Sequence, residues 1–150
     1  MPQVQLSIKG RALRLLGGRE HSRAELERKL HKHEEEPGQL ARVLDELQAK
    51  GFISEQRVVD SVLHRRAARL GAGRIRQELQ AKGLSGDLVA QAVQQLRGTE
   101  LARAREVWQR KFGQPPRDAA ERGKQARFLA ARGFGGEVIH RVLGGSGDDD

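Results

Sequence analysis

The stretch Ile75-Arg76-Gln77-Glu78-Leu79-Gln80-Ala81-Lys82-Gly83-Leu84-Ser85, continued by Val89 and Val93, decides the fold. Ile75 and Leu79 lie four residues apart on one helical face, and Val89 and Val93 begin a second apolar stripe. Between them, Lys82-Gly83-Leu84 reads as a helix stop. The cation faces the carbonyl end of the dipole, the glycine takes the left-handed position and the apolar residue folds back onto the helix. Ser85 then stands where an N-cap is expected. The same register fits Leu26, Leu30, Leu40 and Leu44, and it fits Leu129, Ile139 and Leu143, where Gln125 takes the first position and breaks the apolar pattern.

Working outward, each of these helix pairs has a further helical segment in front of it, over about 7–17, 54–70 and 99–112 by apolar periodicity. Nothing alternates with period two for long enough to suggest a strand. The expected fold is all-α, with nine short helices in three tandem three-helix repeats forming an elongated curved rod. The expected boundaries are 1–53, 54–97 and 98–144, followed by a disordered acidic tail at 145–150. Units this small bury too little surface to stand alone, so neighbours should stack. Ser22 with Glu25 forms a capping-box pattern and Ser54 another N-cap, while Pro37 and Pro116 fall near first-turn positions. Lys50-Gly51-Phe52 and Arg132-Gly133-Phe134 repeat the stop signal. The hexamer Glu-Leu-Gln-Ala-Lys-Gly occurs at 46–51 and at 78–83, but in this register its copies belong to different helices and share only a good helix end.

The 150 residues hold 28 Lys and Arg against 20 Asp and Glu, a net charge of +8. Setting aside the three terminal acids Asp148, Asp149 and Asp150 leaves +11 on residues 1–147. A basic body seeks an anionic partner. Arginine outnumbers lysine 21 to 7, which suits bidentate contacts to phosphate or carboxylate and equally follows from a GC-rich coding preference. With no Cys and no Tyr, thiolate chemistry, disulfides and phenolic acid–base work are excluded. One Trp and four Phe are too few for a base-stacking platform. No apolar run reaches membrane-spanning length, and the N-terminus lacks a secretory signal profile, so the expected location is cytoplasmic.

Candidate chemistry is sparse. His31 and His33 with Glu34, Glu35 and Glu36 could meet a divalent ion only weakly, because alternate residues on a helix point about 200° apart. Gly71-Ala72-Gly73 runs on into Arg74, Ile75 and Arg76 and lacks the third glycine and preceding strand of a dinucleotide loop. No Gly-Lys-Ser/Thr occurs, and carboxylates such as Asp45 and Glu46 fall on polar helix faces. The expectation is a non-enzyme with no cofactor and no metal. Its candidate binding residues are basic: Arg65, Arg66, Arg69, Arg74 and Arg76 around the first helix junction of the middle unit, and Lys82 at that unit's stop. In the third unit they are Arg110, Lys111, Lys124, Arg127 and Arg132. Arg103, Arg105 and Arg122 extend the same basic pattern. A basic face running along a rod fits a long anionic groove, either DNA or an acidic filament.

From residue 8 to 144 the chain resembles the RecX family, bacterial regulators of the RecA recombinase. Arg69-Leu70-Gly71-Ala72-Gly73-Arg74-Ile75-Arg76-Gln77-Glu78-Leu79-Gln80-Ala81-Lys82-Gly83-Leu84 is similar to the middle-repeat pattern of Gly, Ile-x-x-Glu-Leu, then Lys-Gly and an aliphatic residue. Supporting pieces are Ala12-Leu13-Arg14-Leu15-Leu16 leading to Glu25, Leu26, Lys29 and Leu30, and Lys111-Phe112-Gly113 leading to Leu129, Arg132-Gly133-Phe134 and Val138-Ile139. One segment departs from the pattern. In Gly51-Phe52-Ile53-Ser54-Glu55-Gln56-Arg57-Val58-Val59, Val58 stands where the family has an aromatic and Ser54 where it has an acid. Ser caps as well as Asp, so the turn should survive, with altered packing between the first two units at Val58. The resemblance implies a monomer that lies in the groove of the RecA–DNA filament and lowers recombinase, ATPase and co-protease activity in DNA repair, recombination and the SOS response. The alternative is a helical protein that binds DNA through the same basic face with no recombinase partner.

Overall fold

A computed structural model describes residues 5–144. The acidic tail expected at 145–150 lies outside the described residues. Among them the chain forms nine α-helices and no strand: α1 (Ile8–Gly18), α2 (Arg23–Leu30), α3 (Gln39–Ala49), α4 (Glu55–Arg66), α5 (Ala72–Ala81), α6 (Gly86–Arg97), α7 (Glu100–Lys111), α8 (Ala119–Ala131) and α9 (Gly136–Val142). A short 3-10 turn, His31–His33, follows α2.

Local chemistry sets most of the helix ends. The Ser22 hydroxyl accepts from Glu25 N–H at 3.1 Å while Ser22 N–H donates to the Glu25 carboxylate at 2.9 Å, a complete capping box. Ser54 and Ser85 cap α4 and α6 through the hydroxyl alone, which accepts from Arg57 N–H and Leu88 N–H. Gly51, Gly83 and Gly133 close α3, α5 and α8 with φ of 85°, 72° and 95°, the left-handed region expected at the three stops. Pro37 and Pro116 lie ahead of their helices and not in the first turn, because Gly38 and Asp118 are the N-caps of α3 and α8. The first helix of the middle repeat ends at Arg66, short of the expected residue 70. The carbonyl of Arg66 there accepts from both Arg69 N–H and Leu70 N–H, closing the turn.

Each repeat buries its own core. The first is built on Leu26, Leu30, Leu40 and Leu44, the second on Ile75, Leu79, Val89 and Val93, and the third on Leu129, Ile139 and Leu143, the apolar positions of the repeated register. Leu26, Leu44, Ile75, Leu79 and Leu129 are wholly buried, so truncating any one to Ala would cost about 2–5 kcal/mol. Val58 packs inside the second core and not between the first two repeats. Gln125, the register's polar exception, is buried and satisfied: it accepts from the Trp108 indole N–H at 2.8 Å and donates to the Gln114 carbonyl at 3.1 Å.

The repeats are strung in chain order by two joints built from equivalent parts. In each, the N-terminal region of one repeat's second helix meets the stop after the second helix of the next repeat. At the first joint the Ser22 hydroxyl donates to the Lys82 carbonyl, Arg28 donates to the Ala81 carbonyl at 3.1 Å, and the Lys82 ammonium meets the Glu25 carboxylate at 3.2 Å. Burial alone would push the Glu25 carboxyl up, but the Ser22 N–H and the Lys82 ammonium outweigh it and hold the group below its ordinary value. At the second joint Gly71 N–H donates to the Arg132 carbonyl at 2.7 Å, Gly73 N–H to the Gly133 carbonyl at 3.1 Å, and Arg74 to the Ala131 carbonyl at 2.8 Å.

Candidate functional site

The structure sorts the candidate cations into separate groups. Lys82 is mostly covered, and its ammonium is committed to Glu25 at the first joint. Arg66 pairs with Glu78 at 3.0 Å, and Arg74 spans the second joint. Arg65 and Arg127 are exposed on α4 and α8. Lys124 lines a cavity with Arg117, Glu121 and Phe112, where an acid shares the site. Arg76 borders two grooves, one with Arg74, Ala130 and Phe134 and another along α6 with Val89 and Arg97.

Arg69, Arg110, Lys111 and Arg132 do come together. They line a cavity of about 380 Å³ with Ala68, Val107 and Phe128, and no carboxylate takes part in its lining. Arg69 belongs to the link between α4 and α5, Arg110 and Lys111 to the last turn of α7, and Arg132 to the C-cap of α8. The middle and third repeats therefore both contribute. Phe128 is the hub. The Arg132 guanidinium lies 4.8 Å and the Lys111 ammonium 5.3 Å from its ring centroid, and Phe112 packs edge-on against it at 5.4 Å. Cation–π contact holds the two cations at the cavity wall.

Two residues whose roles the sequence reading missed organise this site. Phe128 carries a local signal, since it precedes Arg132 by one helical turn. Arg103 carries none: in sequence it is one more basic residue beside Arg105. In the structure its guanidinium donates to the carbonyls of Ala67 at 2.8 Å, Leu70 at 2.6 Å and Leu96 at 3.0 Å, and its Nε to the Thr99 hydroxyl at 3.1 Å. Burial lowers its pKa from the ordinary arginine value against the pull of nearby Glu100. Arg103 is thus an internal clamp that grips the α4–α5 link on both sides of Ala68 and Arg69. Glu100, also buried, accepts from Ala72 N–H at 3.0 Å and caps the start of α5. Arg122 likewise turns inward, donating to the Leu143 carbonyl at 3.2 Å behind α9.

Among the described residues no group of three or more His, Asp or Glu side chains could hold a metal ion, and no helix is long and apolar enough to cross a membrane. The cavity lining concentrates four cations from two repeats and includes no carboxylate.

Comparisons with known proteins agree with this architecture. Family models described as the first, second and third three-helix domains of RecX match residues 9–47, 54–93 and 99–143. A relative from Leptothrix cholodnii named "Regulatory protein RecX" is 58 % identical, with 93 % of this chain and 88 % of that protein covered. One of the same name from Ralstonia nicotianae is 47 % identical over 97 % of this chain and 92 % of its own length. In fold, a crystal structure of RecX from Lactobacillus salivarius superposes with a TM-score of 0.78 at 16 % identity, covering 91 % of this chain and 92 % of that one. A second crystal structure, of a regulatory protein RecX, gives a TM-score of 0.73 at 19 % identity over 95 % of this chain and 81 % of that one.

Proposed function

The chain belongs to the RecX family, and on that premise we propose that it is a cytoplasmic, monomeric, non-enzymatic modulator that docks on RecA–DNA filaments and lowers their recombinase, ATPase and co-protease activity. The observation that carries this reading is the cavity of Arg69, Arg110, Lys111 and Arg132, four cations with no carboxylate in the lining. Single exposed arginines are worth little in water. Several of them, spaced along repeats strung in chain order, add up when the partner is a polymer that repeats its anionic groups, and far less when it is a free monomer. Arg76, Lys124 and Arg127 extend the basic surface outside the cavity.

The test is DNA-dependent ATP hydrolysis by RecA titrated with this protein. Inhibition is expected at stoichiometric levels. It should be lost when Arg69, Arg110 and Lys111 are all changed to Glu, with helical circular dichroism retained because all three side chains are exposed. Full activity of RecA at a stoichiometric amount of the unaltered protein would refute the proposal. The rival reading, a DNA binder without a recombinase partner, would be favoured by tight binding to naked DNA with a steep salt slope and no gain in affinity when RecA is added.

A further inference from the structure

We infer that Gly71 and Gly133 are positioning residues for the cationic cavity: their backbone-to-backbone joint brings Arg69 and Arg132 together, so that anion binding and joint closure form one coupled equilibrium. The inference rests on the proposal that the cavity receives an anion and adds what controls it. Arg132 serves both structures at once. Its side chain lines the cavity while its carbonyl accepts the Gly71 N–H at 2.7 Å. Arg69 stands two residues before Gly71, so that hydrogen bond, with those of Gly73 to Gly133 and Arg74 to Ala131, ties the backbone of Arg69 to that of Arg132. Arg103 completes the placement by holding the Ala67 and Leu70 carbonyls on either side of Arg69.

The approach at this joint is too close for any side chain. A Cβ on Gly71 would overlap the Gly133 carbonyl group, and one on Gly133 would come within 2.6 Å of the Arg74 nitrogen. The φ of Gly71 is −81°, a value open to every residue, so glycine is needed here for space and not for backbone freedom. The Gly71-Ala72-Gly73 motif, unsuited to cradling a nucleotide, thereby gains a role as a packing surface for the next repeat.

The electrostatics give the coupling its sign. Closing the joint brings Arg69 of the middle repeat up to Arg110, Lys111 and Arg132 of the third, a like-charge approach that opposes closure, and an anion in the cavity removes that opposition. An anion should therefore favour the closed joint, and whatever opens the joint must weaken anion binding by the same factor.

The chain has no Cys, so a labelled pair introduced at the exposed Gln91 of α6 and Glu137 of α9 reports the distance between repeats without background. In that background, three alanine variants form a graded series. Gly71→Ala places a Cβ into the Gly133 carbonyl, Gly73→Ala places one 3.0 Å from the Gly133 oxygen, and Gly86→Ala meets nothing within 4 Å. Tripolyphosphate is the probe, its affinity measured by calorimetry and the distance distribution by paired spin labels. The expected result is a narrow distribution in the parent and a broad one for Gly71→Ala that tripolyphosphate narrows. Affinity should fall about tenfold for Gly71→Ala, less for Gly73→Ala and not at all for Gly86→Ala. Helical content should stay unchanged because each repeat has its own core. If Gly71→Ala does not fold, the comparison of Gly73→Ala with Gly86→Ala carries the test. Equal affinity across the series, affinity lost at an unchanged distance, or no tripolyphosphate binding by the parent would each overturn the inference. RecA is absent from this experiment, so failure to inhibit its ATPase would strike the functional proposal while leaving the coupling intact.

Discussion

Replacing Arg103 by Met removes the clamp while keeping most of the side chain's bulk. Four hydrogen bonds disappear, three of them to backbone carbonyls at the ends of α4, the α4–α5 link and α6. Bonds from a charged donor contribute about 1.5–3 kcal/mol each when fully buried, but this site is only half-buried, so water can reach part of what the guanidinium leaves. Removing a desolvated charge also relieves the burial that lowers the Arg103 pKa. The balance is a loss of about 2–3 kcal/mol, a fall in melting temperature of roughly 5–10 °C for a chain of this size. Arg105→Met is the matched control. It deletes the same charge two residues away from an exposed position, where the expected change is within about 0.5 kcal/mol. Thermal and urea unfolding followed by circular dichroism would compare the two. If Arg103→Met were no less stable than Arg105→Met, the assignment of Arg103 as a clamp would be refuted.

Two further predictions follow from buried polar groups. His21 is 2 % exposed; its Nδ1 bonds the Arg19 carbonyl at 3.0 Å and its Nε2 faces the Lys29 ammonium at 3.3 Å. Burial, with the Lys29 and Arg19 charges, lowers its pKa from the ordinary 6.5, while the Arg19 carbonyl and Glu25 pull the other way. Below pH 6.5 the unfolded chain then binds a proton that the folded chain refuses, so stability should fall as pH drops from about 7.5 to about 5.5. Urea midpoints at the two pH values should show a smaller loss for His21→Gln; an equal loss would rule out His21 as the source. Gln125→Leu should cost about 1 kcal/mol despite restoring the apolar register, because it leaves the half-buried Trp108 indole N–H without its acceptor, while the exposed Gln114 can turn to water. Fluorescence of Trp108, the single Trp, would follow the unfolding, and a stabilised Gln125→Leu variant would contradict the role assigned to that pair.

The helix inventory was legible in the residues because its signals act within one turn. A serine hydroxyl that bonds a backbone N–H three residues on, or a glycine that takes a left-handed φ, does so in almost any tertiary setting. Apolar spacing was equally readable, since four-residue steps must share a face of a helix. The candidate site was legible only in outline. Basic residues were expected along the middle and third repeats, yet nothing local separates Arg69, which lines the cavity, from Arg66, which pairs with Glu78, or Lys82, whose ammonium is taken by Glu25. Gln125 looked like a flaw in the register because its partner, Trp108, lies 17 residues away.

The sequence by itself determined that this chain is all-helical, that it repeats three times, where α3, α5 and α8 stop, and that its body is strongly basic. Tertiary structure alone decided which cations line the open cavity and which hold the molecule together. That choice depends on carbonyls, carboxylates and an aromatic ring brought close by packing between repeats, and the Arg132 carbonyl meets Gly71 at a sequence separation of 61. A charge is written in one residue, but its freedom is set by neighbours that only the folded chain brings into contact.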